Sequence, residues 1–84
     1  MEKEEILGRV SEVVSEVLGV NVEDVTPDSR FVQDLGAESI QSVELVAAFE
    51  EEFEIEMDEE AALQVQTVSM AVDFISRVIE EQGD

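Results

Sequence analysis

Apolar residues recur at steps of one, three and four along three separate stretches of this chain, a spacing that fits one face of an α-helix. Between Glu2 and Leu18 the stripe is Ile6, Leu7, Val10, Val13, Val14, Val17 and Leu18, and Gly19 follows where a helix is commonly closed. From Ser39 to about Phe53, at roughly 100° per residue, Ser42, Leu45, Val46, Phe49 and Phe53 share one side. After Thr67, a good cap, Val68, Ala71, Val72, Ile75, Val78 and Ile79 make a third stripe, with Glu80 to Asp84 expected to fray into solvent. Asp58 can cap a brief helix over Glu59 to Leu63. No stretch reads as a strand. The expectation is an all-α fold, a small four-helix bundle of three main helices and one short one.

From Val20 to about Glu38 the periodicity dissolves into turn signals: Asn21, Thr26-Pro27-Asp28-Ser29 and Asp34-Leu35-Gly36. A connection of roughly 20 residues is long for a small domain, and such loops are usually functional or locally folded. Val22, Val25, Phe31, Val32 and Leu35 give it apolar anchors, so it is expected to pack down with a short helical turn of its own.

The chain has 84 residues, enough for one domain spanning 1–84. Its 4 Lys and Arg stand against 23 Asp and Glu, a formal net charge of −19. Such a balance with few aromatics often marks disorder, but 44% of the residues are apolar and regularly spaced, which argues for a folded domain. The four cations are Lys3, Arg9, Arg30 and Arg77, so Phe31 through Ser76 holds 12 acids and no positive charge. That field repels nucleic-acid phosphates and anionic membranes, and it suits partner proteins with Lys- and Arg-rich patches. No apolar run reaches the length that spans a bilayer, and no apolar segment follows the charged N-terminus as in a signal peptide. A cytoplasmic monomer is the expectation.

There is no His, Cys, Trp or Tyr. Soft metal sites, Ser-His or Cys-His nucleophiles and disulfides are thereby excluded, and the carboxylates sit in runs, Glu50-Glu51-Glu52 and Asp58-Glu59-Glu60, that read as solvated faces. No stretch matches a calcium-binding loop. The expectation is a non-enzyme without a structural metal.

The second helix has two faces. Opposite its core side stand Ile40, Val43 and Ala47, flanked by Glu44, Glu50, Glu51 and Glu54. Periodicity alone leaves two readings: a docking strip for a partner with a basic rim, or a strip packed under the preceding loop. Ser39 stands at the junction of the loop and this helix. Helix statistics favour a plain N-cap there, whereas the free N–H groups and positive dipole end also favour an attached phosphate. No His or Lys stands near to activate the hydroxyl, so a special role for it means modification by another enzyme.

Asp34-Leu35-Gly36-Ala37-Glu38-Ser39-Ile40, with Val43-Glu44-Leu45 and Phe49-Glu50-Glu51-Glu52-Phe53, resembles an acyl carrier protein. The resemblance runs nearly end to end, from the first helix and its Leu18-Gly19-Val20 exit to Thr67-Val68. It implies that a phosphopantetheinyl transferase attaches 4'-phosphopantetheine to Ser39. The arm's thiol then holds acyl groups as thioesters for the enzymes of fatty-acid, polyketide or related lipid synthesis. It implies a docking rim of Asp34, Glu38, Glu44, Glu50 and Glu51 around Ile40, Val43 and Ala47. As in members that sequester the acyl chain, it implies a seat for that chain near Val46, Phe49, Phe53, Met57, Val65 and Ala71, six residues that read equally as ordinary core packing. Two residues depart from the family's Asp-Ser-Leu hallmark, Glu38 before the serine and Ile40 after it. With Gln41 and Ala47 also differing from housekeeping members, they imply a specialised carrier, and the start at Met1 without linkers on either side leads to the expectation of a free-standing one. The alternatives are a peptidyl or aminoacyl carrier of the same fold and an unmodified acidic interaction module.

Overall fold

The computed structural model describes residues 1–82. Along the chain run α1 (Lys3–Leu18), a single 3-10 turn (Val22–Asp24), α2 (Ser39–Phe53), α3 (Glu59–Ala62) and α4 (Val68–Gln82). The four helices follow the expected all-α order, and the only β pairing among the described residues is an isolated bridge between Arg30 and Thr67.

The stripes read from the sequence become the core. Ile6, Val10 and Val14 of α1 meet Val68 and Ile75 of α4, and these five side chains are wholly enclosed. Burying each contributes about 1.5–3 kcal/mol relative to exposure. α1 packs against both α4 and α2, and α2 adds Leu45, Phe49 and Phe53 to the same cluster. At the end of α1 the chain reverses through Gly19 at φ 71°, and the Gly19 N–H donates to the Ser15 carbonyl at 2.9 Å. A side chain in that left-handed region costs about 1–2 kcal/mol, which is why the helix stops on a glycine.

Arg9 ties α1 to the far end of α2. Its Nε donates to Glu52 Oε2 at 2.7 Å and its Nη2 to the Glu52 carbonyl at 2.7 Å, while the guanidinium lies 4.8 Å from the Phe53 ring centre.

The long connection is folded. Val25, Phe31 and Ala37 are buried and Leu35 is half-buried, whereas Val22 and Val32 are exposed, contrary to their expected role as anchors. A tight turn can aim only one of two neighbours inward, and Phe31 takes that place over Val32. The loop is seated on the start of α4 by backbone bonds: Phe31 N to Gln66 O at 3.0 Å, Val68 N to Ser29 O at 3.0 Å and Ser69 N to Pro27 O at 2.9 Å. The buried Ser29 hydroxyl accepts the Thr26 N–H at 3.0 Å, so it is satisfied where it sits.

Asp58 caps α3, its Oδ1 accepting the N–H groups of Glu60 and Ala61, and the helix ends one residue before the expected Leu63. Thr67 caps α4, its Oγ1 accepting the Met70 N–H at 3.1 Å. The expected fraying from Glu80 is corrected as far as Gln82, because the helix continues and its end is pinned. The Gln82 amide donates to the Glu56 carbonyl at 2.7 Å and accepts the Glu56 N–H at 3.0 Å. Gly83 and Asp84 lie outside the described residues.

Candidate functional site

Residues 30 to 37 form a knot of backbone bonds that leads straight into α2. Asp34 N and Leu35 N donate to the Arg30 carbonyl at 2.9 and 3.1 Å, Gly36 N to Val32 O at 3.1 Å, and Ala37 N to Phe31 O at 2.8 Å. Gly36 closes the knot at φ 73°, a value that again favours glycine. The Asp34 carboxylate reaches back over it: Oδ2 accepts the Arg30 backbone N–H at 2.8 Å and the Nε at 3.2 Å, and Oδ1 accepts Nη2 at 3.2 Å. Hydrogen bonds from the Arg30 side chain, then from its backbone, hold the Asp34 carboxyl below the usual carboxylate value.

Ser39 is the first residue of α2 and is exposed. The cap position belongs to Glu38, which forms a capping box with Gln41, the Glu38 N–H donating to Gln41 Oε1 at 2.9 Å. The Ser39 hydroxyl is therefore not the cap of its own helix. Glu38, an inferior cap by its length, is held at that position by the bond from its own N–H to the Gln41 side chain.

The second strip of α2 is open. Ile40 is 66% and Val43 43% exposed, Ala47 is exposed beside them, and Glu38, Glu44 and Glu51 stand around them in solvent. The strip does not pack under the loop. Two other acids on the expected rim are engaged within the molecule. Asp34 is bound to Arg30, and half-buried Glu50 accepts the Met57 N–H on Oε2 at 2.9 Å, fastening the α2–α3 connection.

On the other side of α2 lies a cavity of about 310 Å³. Val46, Phe49, Met57, Val65 and Ala71 line it, five of the six residues expected to do so. Phe53 is not among the lining residues; it sits one turn further along α2, under Arg9. Phe31, Leu45, Ala62 and Phe74 complete the apolar wall, and exposed Val32, Gln33, Leu63 and Gln66 mark its mouth. Sequence reasoning missed these. Phe74 stands three residues after Ala71 on the same helix face and could have been found, whereas nothing periodic signals Phe31. Among the described residues no group of acids could hold a metal ion.

The family model described as "Phosphopantetheine attachment site" matches residues 8–75. An acyl carrier protein of Guillardia theta is 47% identical over 79 residues, 94% of this chain and 98% of the relative. An acyl carrier protein of Cyanidioschyzon merolae is 47% identical over 75 residues, 89% of this chain and 82% of the relative. With an exposed serine opening α2 inside the matched region, and identity sustained across nearly the whole length, the chain belongs to the phosphopantetheine-attachment family of acyl carrier proteins.

Proposed function

We propose that this protein carries acyl groups attached through 4'-phosphopantetheine on Ser39 and presents them to acyl-processing enzymes. The observation that carries the reading is the placement of Ser39: first residue of α2, exposed, and relieved of capping by Glu38 and Gln41. The first-turn N–H groups of α2 and the positive end of its dipole favour a phosphodiester at that position. In the loading step the Ser39 Oγ forms a bond to the phosphorus that bears the pantetheine arm of coenzyme A. The bond from that phosphorus to the adenosine bisphosphate breaks, and the hydroxyl proton passes to a base of the transferase. A chain without His or Cys depends on the partner for that base, and on the arm for its thiol. The bound arm supplies a thiol for thioester formation; the protein itself catalyses nothing.

Glu38, Glu44 and Glu51 around Ile40, Val43 and Ala47 form the surface on which basic patches of the transferase and acyl-processing enzymes dock. The cavity behind α2 is apolar and sits at the small end of ligand pockets, which run from about 300 to 1,000 Å³. A short or medium acyl chain suits it. None of the described helices is long and apolar enough to cross a membrane.

The test is the intact mass after incubation with coenzyme A, Mg²⁺ and a broad-specificity phosphopantetheinyl transferase. One added phosphopantetheine, absent in Ser39→Ala, is the expected result. No addition, with that enzyme or with transferases of the source organism, would overturn the reading and leave an unmodified interaction module.

A further inference from the structure

Asp34 is bound in a way that a docking acid need not be. Its shortest contact is the 2.8 Å bond from the Arg30 backbone N–H, the first donor of the knot that ends in Ala37. The Arg30 side chain adds two bonds at 3.2 Å, but that pair is about half exposed, and exposed ion pairs contribute little. The backbone bond is of the capping kind and weighs more. It fixes Arg30, whose carbonyl receives both Asp34 and Leu35. Arg30 is itself bridged to Thr67, and Phe31 beside it donates to Gln66. At the other end Ala37 is buried with its N–H on Phe31 O, two residues before Ser39.

We propose that Asp34 is a positioning residue for Ser39, holding the 30–37 knot closed through the Arg30 backbone N–H, and is not part of the charged docking rim. The inference deepens the carrier reading and rests on it for the word "positioning". The knot itself is a property of the fold. Removing the acceptor frees Arg30 N, loosens the knot and lets the lead-in to α2 wander, so Ser39 meets the transferase in the wrong place even when docking is intact. Removing only the charge leaves the knot shut.

Two variants separate these effects. Asp34→Asn keeps a carbonyl oxygen for Arg30 N and loses the charge, whereas Asp34→Ala loses both. Initial rates of modification with coenzyme A and Mg²⁺ are to be measured at low and high salt, with Glu44→Gln as the docking-acid control. Amide exchange is followed at Gly36 and Ala37. Expected for Asp34→Ala is a kcat/KM lower by about tenfold, with kcat falling and the deficit persisting at high salt, and exchange at Gly36 and Ala37 faster by a similar factor. Asp34→Asn is expected to stay within about threefold of wild type in both readouts. Glu44→Gln is expected to raise KM at low salt only, with exchange unchanged. Equal loss in Asn and Ala, confined to KM, erased by salt and without faster exchange, would make Asp34 a docking charge and overturn the proposal. Should Asp34→Ala fail to fold, Arg30→Ala decides. It retains the backbone bond and is expected to modify nearly normally; a collapse in kcat there would place the work in the side-chain pair instead. If the wild type accepts no phosphopantetheine the carrier reading falls, and exchange at Gly36 and Ala37 alone then decides whether Asp34 closes the knot.

Discussion

Glu54 ends α2 in the left-handed region at φ 55°, a conformation that costs most L-residues about 1–2 kcal/mol and glycine almost nothing. Glu54→Gly is therefore expected to stabilise the fold by about 0.5–1 kcal/mol, after the greater freedom glycine gives the unfolded chain is subtracted. A urea midpoint that rises at constant slope confirms it; an unchanged or lower midpoint sinks it. The pair at Asp34 gives a second expectation. Because Arg30 lowers the folded pKa of Asp34, its contribution to stability is complete above the ordinary aspartate value of about 3.9. It fades as pH falls through the lower folded value. Carboxyl NMR should place the Asp34 midpoint below about 3.9, and Arg30→Ala should return it upward; an unshifted midpoint in the wild type would contradict this. Gly19 announced its turn in the sequence because it is glycine. Glu54 gave no such signal, since nothing in a glutamate marks it for positive φ.

Between elements, much of the joining is done by groups with no sequence signature. The helices were legible because burial on one face imposes a period, and Thr67 and Asp58 were legible because short polar side chains cap. The seating of residues 27–31 on 66–69 was not, for those bonds are backbone to backbone. Nor was the bond from Met57 N to Glu50, which turns an acid expected on the docking rim into a clasp beside the cavity. Phe53 shows the same limit. Its place on the core face of α2 was readable, but which neighbour it meets depends on Arg9 crossing from α1. That crossing supports a prediction. Arg9→Lys preserves charge but not the fork that reaches both the Glu52 side chain and its carbonyl, and a melt should report a loss of about 1 kcal/mol. A lysine variant as stable as wild type would mean that charge alone holds the two helices.

At the scale of the molecule, three ion pairs among the described residues set 4 cations against 23 acids. With a radius of gyration of 11.5 Å, like charges face one another at distances comparable with the Debye length of about 10 Å at 0.1 M salt. Added KCl, and more so Mg²⁺, should raise the melting temperature, each kcal/mol of relieved repulsion giving about 4–8 °C in a domain of this size. A melting temperature flat across ionic strength would contradict it. The bridge between Arg30 and Thr67 bears on synthesis as well as stability. The serine lies before the middle of the chain, yet the floor beneath its lead-in is made by Gln66 to Ser69, which leave the ribosome later. A nascent chain with residues 1–60 released has Ser39 in hand and nowhere to seat the turn that presents it. On the carrier function proposed above, loading of Ser39 is expected to need residues 66–69 as well as the loop, so that a chain able to complete its core is the one that accepts the arm.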